Sequence, residues 1–271
     1  MKIGVILNGN YIKNYEINEL KNLLKTNNEF SFFIYKNPDQ QPRNFSLRRL
    51  LFFHKFYSLI LIENKFAKLF RKKYFFKSKI DLLNKKISIN KVVQNLWKFK
   101  KYNFNIQKFQ NKYIFDIQTQ EIIKKNCDVC ILLGFNKIIH PNMLNISKKG
   151  ILSFHTADTD FYRGRPSGFY EFINNERYGG VTLQRLKKEL DKGEIIYKKK
   201  IDISKCRSVD ETLYKMMKLK KNMLVKGINK ISLNYRFRTP KKSKLYIESE
   251  SKKLNVVFKC LKKTIYRRYI I

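Results

Sequence analysis

The chain has 271 residues, 43% of them hydrophobic, so it can bury a sizeable core and is not a wholly disordered chain. Its 59 Lys and Arg residues outnumber its 21 Asp and Glu residues, and the net charge of +38 favours anionic surroundings such as nucleic acid, a membrane surface or phosphorylated substrates. The sequence is also rich in Lys, Asn, Ile, Tyr and Phe, as an AT-biased genome encodes, so the charge does not choose among these partners.

The first 35 residues predict a strand, a helix and a second strand. Residues 3–7 form an apolar run that ends at a turn containing Gly9, residues 11–25 have helical spacing, and residues 30–35 form another apolar run. This order is typical of an α/β fold with a buried parallel sheet. Because the turn has a single glycine, it does not match a dinucleotide-binding fingerprint.

A basic and aromatic stretch follows. Residues 43–86 set Lys and Arg among apolar clusters such as residues 50–53, and we predict a basic helical insertion over about 43–100. Beyond it, the patterns predict strands over 112–117, 129–133, 151–154, 181–186 and 194–203. They also predict helices over 119–126, 169–174 and 212–231, the last after a capping-box start at Ser208. The tail over 234–271 has no clear element.

These elements predict an α/β domain over residues 1–205, with a central and mostly parallel sheet. A C-terminal helix and a basic tail follow over residues 206–271. Within this tail, residues 254–268 can form a basic amphipathic helix. Such a helix either packs on its own domain or lies on an anionic bilayer.

The four cysteines do not resemble a disulfide framework in a chain of this length. Cys127 and Cys130 lie in and beside a strongly apolar run, without a second cysteine pair or a nearby histidine, so we predict core residues rather than a metal site. The first residues are too short an apolar run for a secretory signal, and no uncharged stretch is long enough to span a membrane. We expect a cytosolic protein, with peripheral attachment to the inner face of the membrane as an option.

Candidate catalytic residues follow the central strands. His155 stands directly after a predicted strand, where functional groups of open α/β sheets collect. Asp191 and Gly193 form a turn before the next-but-one strand. A histidine titrates close to neutral pH and can exchange a proton there, and a carboxylate can orient it.

Five motifs occur in a distinctive order. These are Gly134-Phe135, Ser153-Phe154-His155, Arg163-Gly164, Gly180-Val181-Thr182 and Asp191-Lys192-Gly193. Their order and spacing resemble the formyltransferases that use 10-formyltetrahydrofolate, which act on glycinamide ribonucleotide, methionyl-tRNA or amino sugars. The resemblance covers residues 95–205 well and is greatest to the bacterial surface-sugar branch.

The resemblance implies a Rossmann-like formyltransferase fold and 10-formyltetrahydrofolate as co-substrate, without a metal. It implies His155, Asp191 and Ser153 as catalytic residues and Arg163 and Arg165 as contacts to the acceptor's diphosphate. The implied folate-binding residues are Gly134, Phe135, Lys137, Ile138, Ile139 and Gly193. Phe135 and Ile138 are equally consistent with a role in the core.

Ser153 departs from the family pattern, which has an asparagine that helps to hold the formyl oxygen and the amine. A serine hydroxyl has a single donor on a shorter arm. The departure leaves open a decayed active site, in a basic protein that binds a membrane or RNA without catalysing transfer.

The acceptor implied by the resemblance is a nucleotide-linked amino sugar used for surface polysaccharide or lipopolysaccharide. Methionyl-tRNA is the alternative and fits the basic charge. That branch carries a C-terminal domain of alternating strands, however, and the residues after Lys205 lack this pattern. The sequence leaves the oligomeric state open.

Overall fold

The computed structural model describes residues 1–35, 57–70, 76–93, 99–135, 137–241 and 243–270. Its strands are β1 (Lys2–Asn8), β2 (Tyr11–Lys13), β3 (Glu29–Tyr35), β4 (Lys86–Ser88), β5 (Phe99–Phe104), β6 (Ile106–Phe109), β7 (Lys112–Phe115), β8 (Val129–Leu133), β9 (Ile151–His155), β10 (Tyr162–Gly164), β11 (Tyr178–Arg185), β12 (Glu194–Asp202) and β13 (Lys244–Tyr246). Its α-helices are α1 (Asn14–Leu24), α2 (Tyr57–Phe70), α3 (Lys77–Asn84), α4 (Ile89–Val93), α5 (Ile117–Asn126), α6 (Phe169–Ile173), α7 (Val209–Lys218), α8 (Met223–Ser232) and α9 (Leu254–Ile265).

A seven-stranded sheet forms the centre of the molecule, in the order β12-β11-β9-β8-β1-β3-β5. The five strands from β9 to β5 are parallel, and β11 and β12 are antiparallel to their neighbours. Apolar side chains on β1, β3 and β8 are buried almost throughout, as expected for strands covered on both faces. The predicted α/β class with a mostly parallel sheet is confirmed.

The sheet separates two hydrophobic clusters. On one face, α1, α7 and α8 pack over residues such as Val5, Leu183 and Ile196. On the other face, Ile123 of α5 packs with Leu132 and with the residues that follow β8. A third cluster joins α2, α6 and α9 beside the sheet.

Cys127 and Cys130 lie in the second of these clusters. Their thiols are free and buried, and both sulfur atoms lie 2.9 Å from the position that a Cβ atom on Gly4 would take. They act as small core residues, as predicted.

The predicted helix over 212–231 was wrong in its continuity, because the chain forms α7 and α8 with a break between them. Asn222 at the break has a φ of 63°. The Glu19 side chain of α1 accepts hydrogen bonds from the backbone N–H groups of Asn222 and Leu224 and so satisfies the start of α8. Ser208 caps α7 as predicted, since its Oγ accepts the Glu211 N–H. The Glu211 carboxylate accepts the N–H of Arg207, the residue before the cap, rather than that of Ser208 itself.

Two other boundaries differ from prediction. The first helix begins at Asn14 rather than residue 11, because Tyr11–Lys13 pairs with Lys86–Ser88. The tail contains regular structure: β13 pairs with β10, and α9 continues into a π-helical turn at Tyr266–Ile270.

Only part of the predicted insertion over 43–100 can be compared. Helices α2 and α3 lie within it, whereas residues 50–53 fall outside the described residues. The proposed boundary near residue 205 stays a prediction, and α8 beyond it packs against β11 and β12. In the part of the chain that the structure describes, none of the helices has the length and apolar character that crossing a bilayer requires.

Candidate active site

The carboxyl ends of β1, β8 and β9 meet at one edge of the sheet, because the three strands are parallel neighbours. Asn8, Gly134 and His155 lie at or directly after these ends. This edge is where the strand topology of an open α/β sheet collects functional groups.

His155 is the last residue of β9 and is 7% exposed. Its Nδ1 lies 3.4 Å from Asp191 Oδ1, so the structure brings together the two side chains that the sequence singled out. Its Nε2 is buried and has no hydrogen-bond partner among the described residues. With Nδ1–H directed to the carboxylate, Nε2 carries the lone pair that can accept a proton.

Burial lowers the pKa of His155 below its ordinary value. The Asp191 carboxylate opposes this shift, and the cations Lys220 and Arg165 add to it. The imidazole is therefore neutral at physiological pH and available as a base.

Asp191 is held by backbone and side-chain donors. It has a φ of 51°, and its Oδ2 accepts the Gly164 N–H at 3.1 Å. Its Oδ1 accepts Gln184 Nε2 at 3.2 Å, and Gln184 Oε1 accepts the Gly193 N–H at 3.1 Å. Gln184 thus fixes both Asp191 and Gly193.

Gln184 was missed at the level of sequence. It is 1% exposed and lies in a strand whose inner positions are buried, and an amide at such a position is the signal that could have identified it. Buried amides require partners, and here both partners lie in the loop before β12.

Ser153 is half-buried on β9, opposite Gln184 on β11 and Leu132 on β8. Because alternate residues of a strand share a face, Ser153 and His155 project to the same side of the sheet. The three predicted catalytic side chains are therefore positioned by β9 and by the loop that Gln184 secures.

The two arginines of the predicted acceptor site differ in their surroundings. The Arg163 guanidinium donates to the carbonyl oxygens of Leu190, at 3.3 Å, and Ser243, at 3.1 Å, and so ties three segments together. Arg165 is exposed. Of the pair, Arg165 is the one placed to meet an incoming anion.

The family model of the formyl transferases, described as "Formyl transferase", matches residues 78–228, which is more than half of the chain. The match runs from α3 to α8 and contains every candidate residue named above. The chain belongs to the formyl transferase family.

A curated relative is the methionyl-tRNA formyltransferase of Thermotoga neapolitana, 29% identical over 106 residues, which make up 39% of this chain and 34% of the relative. The matched stretch therefore spans about a third of that protein.

Two solved structures share the fold across 99% of this chain. One is WlaRD, a sugar 3N-formyltransferase crystallised with dTDP and 5-N-formyl-THF, with a TM-score of 0.55, 15% identity and 81% of its chain covered. The other is an N-formyltransferase from Helicobacter canadensis in complex with folinic acid and dTDP-3-aminofucose, with a TM-score of 0.58, 15% identity and 82% coverage.

In this formyl transferase, five of the six predicted folate-binding residues lie in the stretch after β8, whereas Gly193 lies in the loop before β12. Gly134 has a φ of 62° and donates its N–H to Glu16 at 3.2 Å. Lys137 Nζ lies 4.3 Å from the centre of the Tyr113 ring. Ile138 is 48% exposed, so it is a surface residue rather than part of the core.

Phe135 and Ile139 belong to the packing of this stretch. Ile139 is buried, and the Phe135 ring stands edge-on to Phe115 at 6.4 Å. The backbone is anchored by hydrogen bonds between β7 and residues 138–140, from Tyr113 N to the Ile138 oxygen and from His140 N to the Tyr113 oxygen.

Lys220 is a buried cation that the sequence patterns did not reveal. It is 3% exposed, and its Nζ lies 4.2 Å from the centre of the Tyr15 ring and 5.1 Å from that of Phe154. Burial lowers its pKa to about 8, with Glu16 opposing the shift. Its charge reaches His155 and contributes to keeping the imidazole neutral.

A small cleft lies beside His155, between β10, α6 and β13, and its water-accessible volume is about 10 Å³. Its walls include Arg165, Tyr170, Glu171 and Tyr246. His155 also lines it, so the imidazole borders a space with room for about one water molecule.

Proposed function

We propose that this formyl transferase moves a formyl group from 10-formyltetrahydrofolate to a primary amine. The observation that carries the proposal is the His155–Asp191 pair, with a buried and unpartnered Nε2 at the carboxyl edge of the sheet. A neutral imidazole held by a carboxylate and open to a cleft supports proton transfer from an attacking amine.

The residues present fit a folate co-substrate. The Nε2 atom of His155 lacks a partner, and the nearest atom to a Cβ built on Gly134 is Glu16 Oε2 at 3.6 Å, so the chain leaves space for a ligand beside Gly134. Gly134, Phe135, Lys137, Ile138, Ile139 and Gly193 would hold the pterin end. Both sugar formyltransferase structures were obtained with a formyl-folate, which supports this assignment.

The co-substrate supplies the formyl carbon, whose bond to a folate nitrogen is replaced by a bond to the acceptor amine while negative charge develops on the formyl oxygen. His155 Nε2 would accept the proton that the amine must lose and would return it to the folate nitrogen as the bond from that nitrogen to the formyl carbon breaks. The resulting imidazolium is stabilised by Asp191 at Nδ1 and can donate from Nε2 to the charged oxygen. Asp191 stays ionised throughout and fixes the imidazole tautomer.

Ser153 would be a further donor to the formyl oxygen. Its hydroxyl lies on the same strand face as His155, which suits a group that acts on the same atom. The family's asparagine is longer, so the serine donor reaches less far or acts through water.

The acceptor proposed is a nucleotide-linked amino sugar, used for surface polysaccharide or lipopolysaccharide. Arg165 at the cleft would meet the diphosphate, with Arg163 as the residue that shapes the loop around it. The two sugar formyltransferases with the same fold, one crystallised with dTDP and the other with dTDP-3-aminofucose, support this class of acceptor.

Methionyl-tRNA is a second candidate acceptor. Curated relatives with 24–29% identity are methionyl-tRNA formyltransferases, and the net charge of +38 suits a phosphate backbone. A membrane-bound role without catalysis is one of the outcomes that the following experiment distinguishes.

The test is a mass-spectrometric assay with 10-formyltetrahydrofolate and either dTDP-3-aminofucose or methionyl-tRNA. We expect the mass increase of one formylation on the sugar amine and no transfer to the tRNA. Transfer to the tRNA alone would assign the second function. Absence of transfer to both, together with binding to anionic vesicles, would support the catalytically decayed membrane protein.

A further inference from the structure

Helix α9 packs on the domain through one of its sides. Val257, Cys260 and Thr264 are buried, and the first two belong to the hydrophobic cluster that α9 shares with α2 and α6. In the turn that follows, Arg268 is buried and pairs with Glu63 of α2. Because these positions are three or four residues apart, they form one face of the helix, and this face holds α9 on the domain.

Another side of α9 exposes large apolar side chains. Leu254, Phe258 and Ile265 are 43%, 55% and 45% exposed and lie four and seven positions apart, so they form a row along the helix. Tyr266 and Ile270, in the turn after α9, are also exposed. Single exposed apolar residues are ordinary on a protein surface, whereas a row with exposed neighbours marks a surface that binds a partner.

The same segment is strongly basic. Residues 252–271 contain seven Lys and Arg residues and neither Asp nor Glu. Four of the seven bind carboxylate or carbonyl oxygens of the domain, namely Lys252, Lys263, Arg267 and Arg268. The other three are exposed, and their ammonium groups form no hydrogen bond or ion pair with the described residues: Lys253, Lys259 and Lys262. Positive charge without a counter-charge therefore lies beside the apolar row.

The apolar row and the three unpaired lysines together indicate what covers this surface. A second copy of the chain, bound about a two-fold axis, would set the same basic patch against itself, and like charges repel. An anionic bilayer matches both features, because its hydrocarbon boundary receives apolar side chains and its phosphate groups attract lysines. The long lysine side chains can reach the headgroups while the apolar row is immersed.

We infer that α9 and the turn after it form a docking surface for an anionic lipid bilayer. The helix lies in the plane of the membrane, with Leu254, Phe258 and Ile265 at the boundary between headgroups and acyl chains and with the three unpaired lysines on lipid phosphates. Attachment of this kind requires no spanning helix. The docking surface contains neither His155 nor Asp191, so the inference does not depend on the proposed reaction.

Co-sedimentation of the full chain with lipid vesicles tests the inference. The vesicles consist of phosphatidylcholine alone or of phosphatidylcholine and phosphatidylglycerol in equal parts, and both are used at low and at high salt. Phe258→Ser removes an apolar group from the row. Its control is Phe109→Ser, which changes a phenylalanine of β6 that is exposed to a similar degree, 52%.

A charge-reversal variant tests the basic half of the docking surface. Lys259→Glu combined with Lys262→Glu reverses two charges beside the row. The control makes the same change at Lys124 and Lys125, two exposed lysines of α5, which packs in a different hydrophobic cluster. The two double variants have the same net charge, so a difference between them reports the position of the lysines.

We expect the parent to sediment with the anionic vesicles and not with phosphatidylcholine alone, and we expect high salt to release it because salt screens the attraction. Phe258→Ser should lower the affinity for anionic vesicles by about 10-fold or more, since less apolar area leaves water on binding. The double variant at Lys259 and Lys262 should also lower it by about 10-fold or more. Both controls should bind as the parent does.

The inference is overturned if the parent binds neither kind of vesicle, if it binds both equally, or if each variant binds as its control does. A dimer of the parent that Phe258→Ser dissociates, seen by light scattering, would also overturn it, because a second copy would then cover the row. Phe258 is exposed, so Phe258→Ser should melt at the temperature of the parent. If it melts lower, the lysine variant decides, since its loss of vesicle binding relative to its control supports the inference and equal binding overturns it.

Discussion

His155 Nδ1 and Asp191 Oδ1 lie 3.4 Å apart, although 36 positions separate the two residues in sequence. Asp191 reaches this position because Gly164 and Gln184 bind its carboxylate from two other segments. The geometry makes the carboxylate a fixed electrostatic partner of the imidazole rather than a group that meets it only on ligand binding.

We expect the rate of formyl transfer to rise with pH through an apparent pKa below about 6.5 and to level off above it, because the pKa of His155 is lowered and the neutral form is the base. The pH dependence of kcat in the parent protein measures this. His155→Ala should reduce kcat by at least about 10²-fold without unfolding the protein. Turnover within tenfold of the parent would exclude His155 as the proton-transfer group.

Asp191→Asn should act on both the rate and the pH profile. Asp191 raises the pKa of His155 against the effect of burial, so its loss should move the acidic limb of the profile to lower pH. The rate on the plateau should fall by about 10²-fold or more, because the amide no longer fixes the imidazole tautomer. An unchanged acidic limb would reduce Asp191 to a loop residue held by Gly164 and Gln184.

The central strands and the His155–Asp191 pair could be predicted because their signals are local. Runs of apolar residues mark β1, β8 and β9, and the carboxyl ends of such strands collect polar groups. The break between α7 and α8 could not be predicted. It depends on Glu19, about 200 positions away, whose carboxylate binds the backbone of Asn222 and Leu224.

The cleft beside His155 was also beyond the sequence. One wall comes from β13, in a tail with no recognisable pattern, and its pairing with β10 is specified by contacts rather than by local propensity. Glu171 resembled an ordinary helix residue in sequence, and only the burial of its carboxyl, whose Oε1 has no hydrogen-bond partner, distinguishes it.

Gly164→Ala should disrupt the wall of the cleft. Gly164 has a φ of 83°, and a Cβ atom on it would lie 1.9 Å from the Tyr246 carbonyl oxygen, so β10 and β13 must separate. We expect KM for the acceptor to rise about 10-fold or more, with folate affinity little changed. We also expect kcat to fall, because the Gly164 N–H holds the Asp191 carboxylate. The measurement is steady-state kinetics with each substrate varied.

Gly150→Ala is the matched control for this change. Gly150 also has a positive φ, 76°, but precedes β9 at the opposite end of the strand from His155. Its substitution should lower stability without raising KM for the acceptor. An equal rise in KM for the two variants would show that the effect comes from general destabilisation. The pairing of β10 with β13 would then have no part in acceptor binding.

Substitutions of Ser153 test whether its hydroxyl stabilises the negative charge on the formyl oxygen. If its hydroxyl donates to the formyl oxygen, Ser153→Ala should lower kcat by about 10- to 10³-fold with little change in folate affinity, because the bond strengthens only as charge develops. Ser153→Asn restores the family's residue beside Gln184 and Leu132, and retained activity would show that the pocket keeps the family geometry. Full activity of Ser153→Ala would contradict the role and leave the oxygen to His155 and backbone donors.

A buried ion pair between Arg268 and Glu63 joins the turn at Tyr266–Ile270 to α2. Arg268 is 2% exposed, and its Nη1 lies 2.7 Å from both carboxylate oxygens of Glu63, while Nη2 donates to Asn64. Burial raises the pKa of Glu63 even though Arg268 opposes the shift. Arg268→Met should cost about 3–5 kcal/mol of unfolding free energy, because it leaves a buried carboxylate unpaired.

The loss of unfolding free energy in Arg268→Met should depend on pH. A second variant distinguishes an unpaired acid from lost packing as the cause of this loss. Without Arg268, the folded pKa of Glu63 rises further, so Glu63 is neutral at low pH and the loss grows as pH rises from about 5 to 8. The double variant Arg268→Met and Glu63→Leu removes both charges and should recover most of the stability at pH 8. Urea unfolding of the parent, both single variants and the double variant at the two pH values measures the coupling. If Arg268→Met alone unfolds at the parent's midpoint at pH 8, the pair contributes nothing to stability. If the double variant is as unstable as Arg268→Met, the cost comes from lost packing around the arginine rather than from the unpaired acid.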